Sequence, residues 1–350
     1  MPWKQEREKR IAMGARIVID TLGGDNGPKA CVAGAVEGLK ENPDVKLYLT
    51  GRKKQINKLL SEYEYDKKRL EVVDCSEEIT CHDAPVEAVK KKTDSSLVVG
   101  LNLVKEGKAD AFISAGSSGA VLAGGQFIVG RAKGVKRAPL APLIPTSEGN
   151  SLLIDCGANV DAKPEVLVQF AKIGSIYMEN ICGVKNPRVA IVNIGTEEEK
   201  GNALVKATYP LLKACDSINF IGSIESREIP FGKADVVLTE AFVGNVILKL
   251  YEGLSKMILK EVKGAMTASV KNKIGALMIK KSLKKTVNSF NTGEVGGAPL
   301  LGLKGLVVKV HGNSKKDEIR SAIRQCKNFT ELKVSEKIIA GLAEEGTVTE

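Results

Sequence analysis

The sequence predicts a three-layer α/β protein: a largely parallel sheet with helices on both faces. Three observations predict it. Short apolar, β-branched runs recur along the 350 residues, helical patterns fill the intervals, and the runs are apolar almost throughout. Continuous rather than alternating apolarity marks strands buried on both sides, and alternation with helices marks parallel crossovers. The strand candidates in order are ARIVID (15–20), 45–51, 70–74, 109–116, SLLIDCG (151–157), RVAIVNIG (188–195), 218–224, 234–240 and GLVVKVHG (305–312). Helical stretches fall at 29–41, 84–92, 118–131, 164–181, 201–214 and 246–263. No fixed-period repeat or low-complexity linker divides the chain.

Composition narrows the function classes. With 43% hydrophobic and 27% charged residues the chain reads as an ordinary soluble globular protein. Its seven cysteines show no CxxC spacing, the nearest pair is Cys75 and Cys81, and only His82 and His311 could join them. No metal site and no cofactor are expected, and reduced thiols point to the cytoplasm. The opening MPWKQEREKRIAMG is charged throughout, so residues 1–14 are expected to be a disordered extension rather than a secretory signal, with Met13 as an alternative start. No run of 18 apolar residues occurs.

The net charge of +10 is unevenly placed. Between Lys249 and Lys285 ten lysines face two acids, Glu252 and Glu261. From Ile247 apolar residues recur at helical spacing with lysines mainly on the other side, so 246–290 is expected to be a basic amphipathic helical segment. Such a segment suits an acidic protein or an anionic membrane surface. Nucleic acid is a poor fit, because aromatics make up only 4% and the segment offers only Tyr251 and Phe290.

In a wound parallel sheet, ligands bind beyond the carboxyl ends of the strands. Here those ends run into IDTLGGDNGPK (19–29), ISAGSSGA (113–120), IDCGANVDAKPE (154–165), NIGTEEEKGN (193–202), LTEAFVGN (238–245) and VHGNSKKD (310–317). Glycines let main-chain amides approach an anion closely, and helix dipoles behind them favour it. Neither GxxxxGK[ST] nor GxGxxG is present, which argues against a P-loop kinase or a dinucleotide fingerprint. The loops together point to a phosphate-handling cleft.

These motifs, with FIVGR (127–131), resemble in order the landmarks of the PlsX family, which moves fatty acyl groups from acyl carrier protein to phosphate. The similarity runs from about Ala15 to the 330s. It implies a fold akin to isopropylmalate dehydrogenase and phosphate acetyltransferase, a homodimer, and reversible acyl transfer from acyl carrier protein to inorganic phosphate. The acyl phosphate would feed phospholipid synthesis through a membrane glycerol-3-phosphate acyltransferase, with the protein cytoplasmic and in peripheral membrane contact. The unit expected is 15–345 in two lobes, 15–152 with 295–345, and 153–294. The family pattern usually has His at position 26 and Asp-Gly at 240–241, where this chain has Asn26, Glu240 and Ala241. A coenzyme A-dependent phosphate acetyl- or butyryltransferase is the nearest alternative.

Moving an acyl group from thioester to phosphate needs little covalent help, because the thioester is already activated. Holding a dianion against the carbonyl contributes up to roughly 7–11 kcal/mol, and one donor to the oxyanion about 2.7–4 kcal/mol. Lys200, between strand and helix, is the candidate to neutralise phosphate or oxyanion, and the resemblance carries the family's catalytic lysine onto it. One or more of Glu197, Glu198 and Glu199 is expected to orient it. Asn245 corresponds to the second proposed catalytic residue, with an N-cap role as its structural alternative. Ser114, Gly116, Ser117, Ser118 and Gly119 suit a phosphate cradle. Asp20, Gly24, Asp25, Asn159, Asp161, Lys163, Gly195, Thr196 and Gly244 complete the expected site. Cys156 reads as buried filler and His311 as a structural group.

Overall fold

The computed structural model describes residues 14–289 and 296–343. The expected extension apart from Gly14, residues 290–295 with the expected lobe boundary at 294/295, and residues 344 and 345 of the expected unit lie outside the described residues. In chain order the elements are β1 (Arg16–Asp20), α1 (Gly27–Glu41), β2 (Lys46–Gly51), α2 (Lys53–Leu60), β3 (Leu70–Asp74), α3 (Pro85–Lys91), α4 (Ser96–Lys105) and β4 (Ala111–Ser114). Next come α5 (Ser118–Gly124), which runs into a π turn over Gly125–Val129, β5 (Leu143–Thr146), β6 (Gly149–Ile154), α6 (Pro164–Ile181), β7 (Arg188–Asn193), α7 (Ala203–Lys213) and β8 (Asn219–Glu225). The chain continues through β9 (Val236–Leu238), α8 (Ala241–Thr267), α9 (Val270–Ser289), β10 (Ala298–Leu300), β11 (Leu306–Lys309), α10 (Lys316–Glu331) and α11 (Val334–Ala343).

The expected strands all form, but they divide between two sheets. One has six strands in the order β10-β11-β4-β1-β2-β3, the other five in the order β5-β6-β9-β7-β8. Pairing is parallel except for β10 on β11 and β5 on β6. Those two antiparallel strands were not expected from the sequence. Both are short edge strands carrying a proline, Pro145 and Pro299, and proline can sit in a sheet only where its missing N–H is not needed. Because β6 pairs with β9, the strand Gly149–Ile154 belongs to the second sheet, and the expected boundary at 152/153 falls inside it. The chain changes sheets just before β5.

Layering follows from the alternation of side chains along each strand. Ile17 and Ile19 of β1 face a core that includes α1 and α10, whereas Val18 faces a second core with α4 and α5. In the second lobe Leu152 and Ile154 face α6, while Leu153 packs with Ile247 of α8. The α1–α10 contact is close because Gly34 and Gly38 meet Ile319 and Ile323, where an added Cβ would lie 2.6 and 2.5 Å from the isoleucine carbons. The core beneath α1 and α10 runs without a break into the second lobe. Gln325 of α10 donates to the Tyr177 hydroxyl of α6 at 3.2 Å.

Both lobes carry the same clamp at the amino ends of their strands. Arg16, at the start of β1, donates its main-chain N and Nε to Asp110 Oδ2 at 2.9 and 3.1 Å and its Nη2 to Oδ1 at 2.6 Å. Arg188, at the start of β7, repeats the pattern on Asp235 at 2.8, 3.0 and 3.0 Å. Each planar fork ties a strand to the turn entering its neighbour, β4 or β9. Register is thus fixed at one end of each sheet, which leaves the other end for loops.

The basic segment begins earlier than expected. Its first helix starts at Ala241, not 246, and runs to Thr267 before α9. Leu250, Met257, Leu277 and Met278 are exposed at 67, 53, 68 and 83%, so this hairpin carries a large uncovered apolar surface among its lysines. Among the described residues, no helix is long and apolar enough to cross a membrane.

Candidate active site

Asp20, at the carboxyl end of β1, organises the first rim. Its buried carboxylate accepts from the amides of Leu22 and Gly23, both at 3.2 Å, and from Ser96 Oγ at 2.5 Å and Ser114 Oγ at 2.7 Å. Burial pushes its pKa up from the usual carboxylate range, and these four hydrogen bonds pull against that. Ser114 Oγ in turn accepts from the Gly116 amide at 2.9 Å. Asp20 and Ser114 therefore shape the loops from beneath and do not line the cleft. Above them Gly24 adopts φ +84°, and a Cβ there would lie 2.7 Å from the Gly312 carbonyl, a position only glycine fills comfortably. The Asp25 amide donates to that carbonyl at 2.7 Å, so the loops after β1 and β11 are stitched together.

Asp155 plays the corresponding part in the second lobe, and the sequence did not single it out. It accepts from the amides of Leu140 at 2.9 Å and Ala158 at 3.2 Å and from Asn159 Nδ2 at 2.8 Å. Burial raises its pKa also. Asn159 is thereby a buried brace, donating as well to the Ala138 carbonyl at 3.0 Å. Gly244 lets α8 press on this loop: a Cβ would sit 1.9 Å from the Asp155 carbonyl oxygen.

Glu240, not Asn245, caps α8. Its carboxylate accepts from the amides of Phe242 at 2.6 Å and Val243 at 2.8 Å. A carboxylate at a helix N-terminus is favoured by both geometry and dipole. Asn245 is left without a capping duty, and it lines the cleft. The other departures from the family pattern also have structural accounts. Asn26 Nδ2 donates to the carbonyls of Asn313 at 2.9 Å and Ser314 at 3.0 Å, and Ala241 is fully buried.

Between the rims lies a cleft of about 670 Å³. From the expected site it is lined by Gly24, Asp25 and the Gly116–Gly119 loop on one side and by Asn245 on the other. It also takes in five acidic or basic residues outside the expected site: Glu78, Lys249, Glu252, Lys309 and His311. Glu252 shares its two oxygens, Oε2 with Lys249 Nζ at 3.1 Å and Oε1 with His311 Nε2 at 2.7 Å. Lys309 stands at the end of β11, opposite Ser114 in the register, and donates to the carbonyls of Ala115 and Val310. Burial, then the neighbouring Lys249, pushes its pKa down to about 8. A charged side chain closing the otherwise apolar run GLVV was the sequence signal for it. Cys156 also lines the cleft, but burial holds its thiol far above the range in which a thiolate forms.

Lys200 does not line the cleft. It sits in the loop after β7, with its stem over Gly195 and its Nζ 2.5 Å from Glu197 Oε1. That hydrogen bond lowers the Glu197 pKa and raises the lysine's. Glu198 pairs instead with Lys213 at 2.9 Å, while Glu199 acts on Lys200 through space. The loop is held by Asn193, which donates to Ser223 Oγ and to the Lys200 carbonyl, both at 3.1 Å. The following helix is capped by Asn202, two residues later than Gly201 would imply. Thr196, Asp161 and Lys163 are exposed and, with Gly195, lie outside the cleft lining.

Glycine loops, an amide without a capping role and clustered cations at the carboxyl ends of parallel strands define an α/β protein with a cleft whose chemistry suits an anion. The chain belongs to the family described as fatty acid synthesis protein, which it matches over residues 15–337. It is 50% identical over 331 residues to a phosphate acyltransferase of Alkaliphilus oremlandii, covering 95% of this chain and 98% of the relative. A phosphate acyltransferase of Clostridium botulinum is 48% identical over 324 residues, covering 92% and 97%. A phosphotransacetylase from Streptococcus pyogenes shares the fold, with a TM-score of 0.62 at 17% identity, over 95% of this chain and 98% of that one.

Proposed function

We propose that this protein transfers a fatty acyl group from the thioester of acyl carrier protein to inorganic phosphate, giving acyl phosphate and a free thiol. The carrying observation is identity of 45–50% to phosphate acyltransferases along nearly the whole of both chains. The cleft suits the chemistry. Phosphate would lie against the Gly116–Gly119 amides and the hydroxyls of Ser117 and Ser118, with the acyl carbonyl turned toward Asn245. An uncommitted amide is a fitting donor to a developing oxyanion. Lys200, approaching from the loop after the neighbouring strand β7, would add positive charge once its bond to Glu197 is exchanged for one to substrate.

The donor and setting follow from charge and surface. A chain of net charge +10 with lysines along α8 and α9 suits an acidic carrier protein. The same lysines and the uncovered apolar residues between them suit reversible contact with an anionic membrane at about 1 kcal/mol per lysine. There a membrane glycerol-3-phosphate acyltransferase would receive the labile product. A homodimer is part of this proposal. The fold shared with a phosphotransacetylase favours coenzyme A thioesters as the second reading.

One assay separates the two: pure protein with phosphate and either acyl-acyl-carrier-protein or acyl-coenzyme A, read as acyl phosphate formed. Preference for the carrier protein is expected. Turnover only with short-chain coenzyme A thioesters selects the second reading, and no acyl phosphate from either ends both.

A further inference from the structure

The cleft contains three basic side chains but only one carboxylate that touches any of them. Glu252 spends one oxygen on Lys249 and the other on His311. Asp20, Asp25 and Glu252 act on Lys309 only through space, and Asp20 is committed to four hydrogen bonds of its own. Among the described residues Lys309 forms no ion pair, and its ammonium donates to two main-chain carbonyls. A partly buried cation whose only contacts are carbonyl dipoles has lost hydration without gaining a carboxylate in contact, and the carboxylates that act on it from a distance do not offset its burial. That arrangement is costly in the empty protein and is relieved when an anion enters.

Position supports the same conclusion. Lys309 pairs in register with Ser114, two residues before Gly116, so its ammonium emerges beside the glycine–serine loop. A tetrahedral anion could there meet main-chain amides, serine hydroxyls and one unneutralised ammonium together. We infer, on the acyl-transfer reading above, that Lys309 supplies the counter-charge for inorganic phosphate in the cleft, while Glu252 keeps Lys249 and His311 occupied. Lys309 is a phosphate-binding residue in this scheme, and Lys200 acts on the reacting carbonyl.

Titration calorimetry of the full chain with inorganic phosphate tests this without requiring turnover. Lys309→Met should weaken phosphate binding by roughly tenfold or more, the loss expected for one charge-assisted hydrogen bond. Lys309→Arg keeps the charge and should stay within about threefold of the parent. Affinity for the acyl donor should not change in either variant. Circular dichroism and thermal melting check folding, and Lys309→Gln replaces the methionine variant if that one fails to fold. Parental phosphate affinity in Lys309→Met or its glutamine substitute overturns the inference, as does failure of the parent chain to bind phosphate. Lysine-dependent phosphate binding without acyl phosphate formation would leave the inference standing and remove the acyl-transfer reading. Acyl phosphate formation with an unchanged phosphate KM in the variant would do the reverse.

Discussion

Lys200 and Lys309 each stand where a parallel strand gives way to a loop, yet their electrostatic states are opposite. Lys200 is exposed, rests 2.5 Å from Glu197, and has its pKa raised by that contact. Lys309 is partly buried, touches only carbonyls, and has its pKa lowered to about 8 by burial and Lys249. One is a neutralised cation that must release a carboxylate before it acts. The other is under-neutralised and waits for an anion. A lysine in a strand-end loop therefore marks chemical type, whereas the surrounding carboxylates and solvent decide which step it serves.

The largest effect that tests this division is on Lys200. Lys200→Ala should lower turnover by at least about a hundredfold, the loss seen for one oxyanion donor, while phosphate binding by calorimetry stays near the parental value. Near-normal turnover would remove Lys200 from the reaction and leave Lys309 as the catalytically relevant cation. Next comes Asn245. Asn245→Ala should cost about a hundredfold in kcat with melting unchanged, because Glu240 does the capping. Glu240→Ala should instead lower stability by about 1 kcal/mol, the usual cost of a lost N-cap. The reverse pattern would make Asn245 structural.

The smallest effect is on pH. Lys309 is surrounded by Asp20, Asp25 and Glu252, which favour its charge, and by Lys249, which opposes it; His311 stands on the far oxygen of Glu252. The protonated form binds an anion, so the phosphate KM should rise as pH climbs through about 8. Lys309→Arg, which stays charged, should flatten that limb. Stability moves the other way. Between about 8 and the ordinary lysine range the unfolded chain binds the extra proton, so the fold gains stability as pH rises through that window. At neutral pH Lys309→Met should therefore melt slightly higher than the parent, on the order of 1–3 °C. An identical pH profile in parent and arginine variant would show that Lys309 does not meet phosphate.

The periodic signals made the fold legible. Apolar runs such as ARIVID and RVAIVNIG became central strands because burial on both faces leaves no other composition available to them. Their division into two sheets was not legible, since it depends on which strand pairs with which. The edge strands around Pro145 and Pro299 were too short and too atypical to be seen. Of the expected site, the glycine–serine loop, read from residue type and position, and Asn245, carried over from the family resemblance, do line the cleft. Asp20 and Ser114 were placed one layer too high: small polar residues at strand ends read alike whether they face the cleft or brace it from below. Asp155 was missed for the same reason, and Lys309 because its significance lies in having no carboxylate within hydrogen-bonding contact, which residue order does not reveal. Asn26 and Glu240 illustrate the converse, as unfamiliar letters that keep a loop tie and a helix cap in place.

The proline-bearing edges have a consequence for how copies of this molecule can meet. Pro145 withholds a donor from one border of the second sheet, Ile221 bulges out of register on its opposite border strand β8, and in the first sheet the outer side of β10 is already paired with the segment 139–141. Borders interrupted or covered in this way are poor templates for adding a foreign strand. Crowded solutions of the protein should accordingly resist fibrous stacking, and whatever clusters do form should be held by side chains from the helical layers.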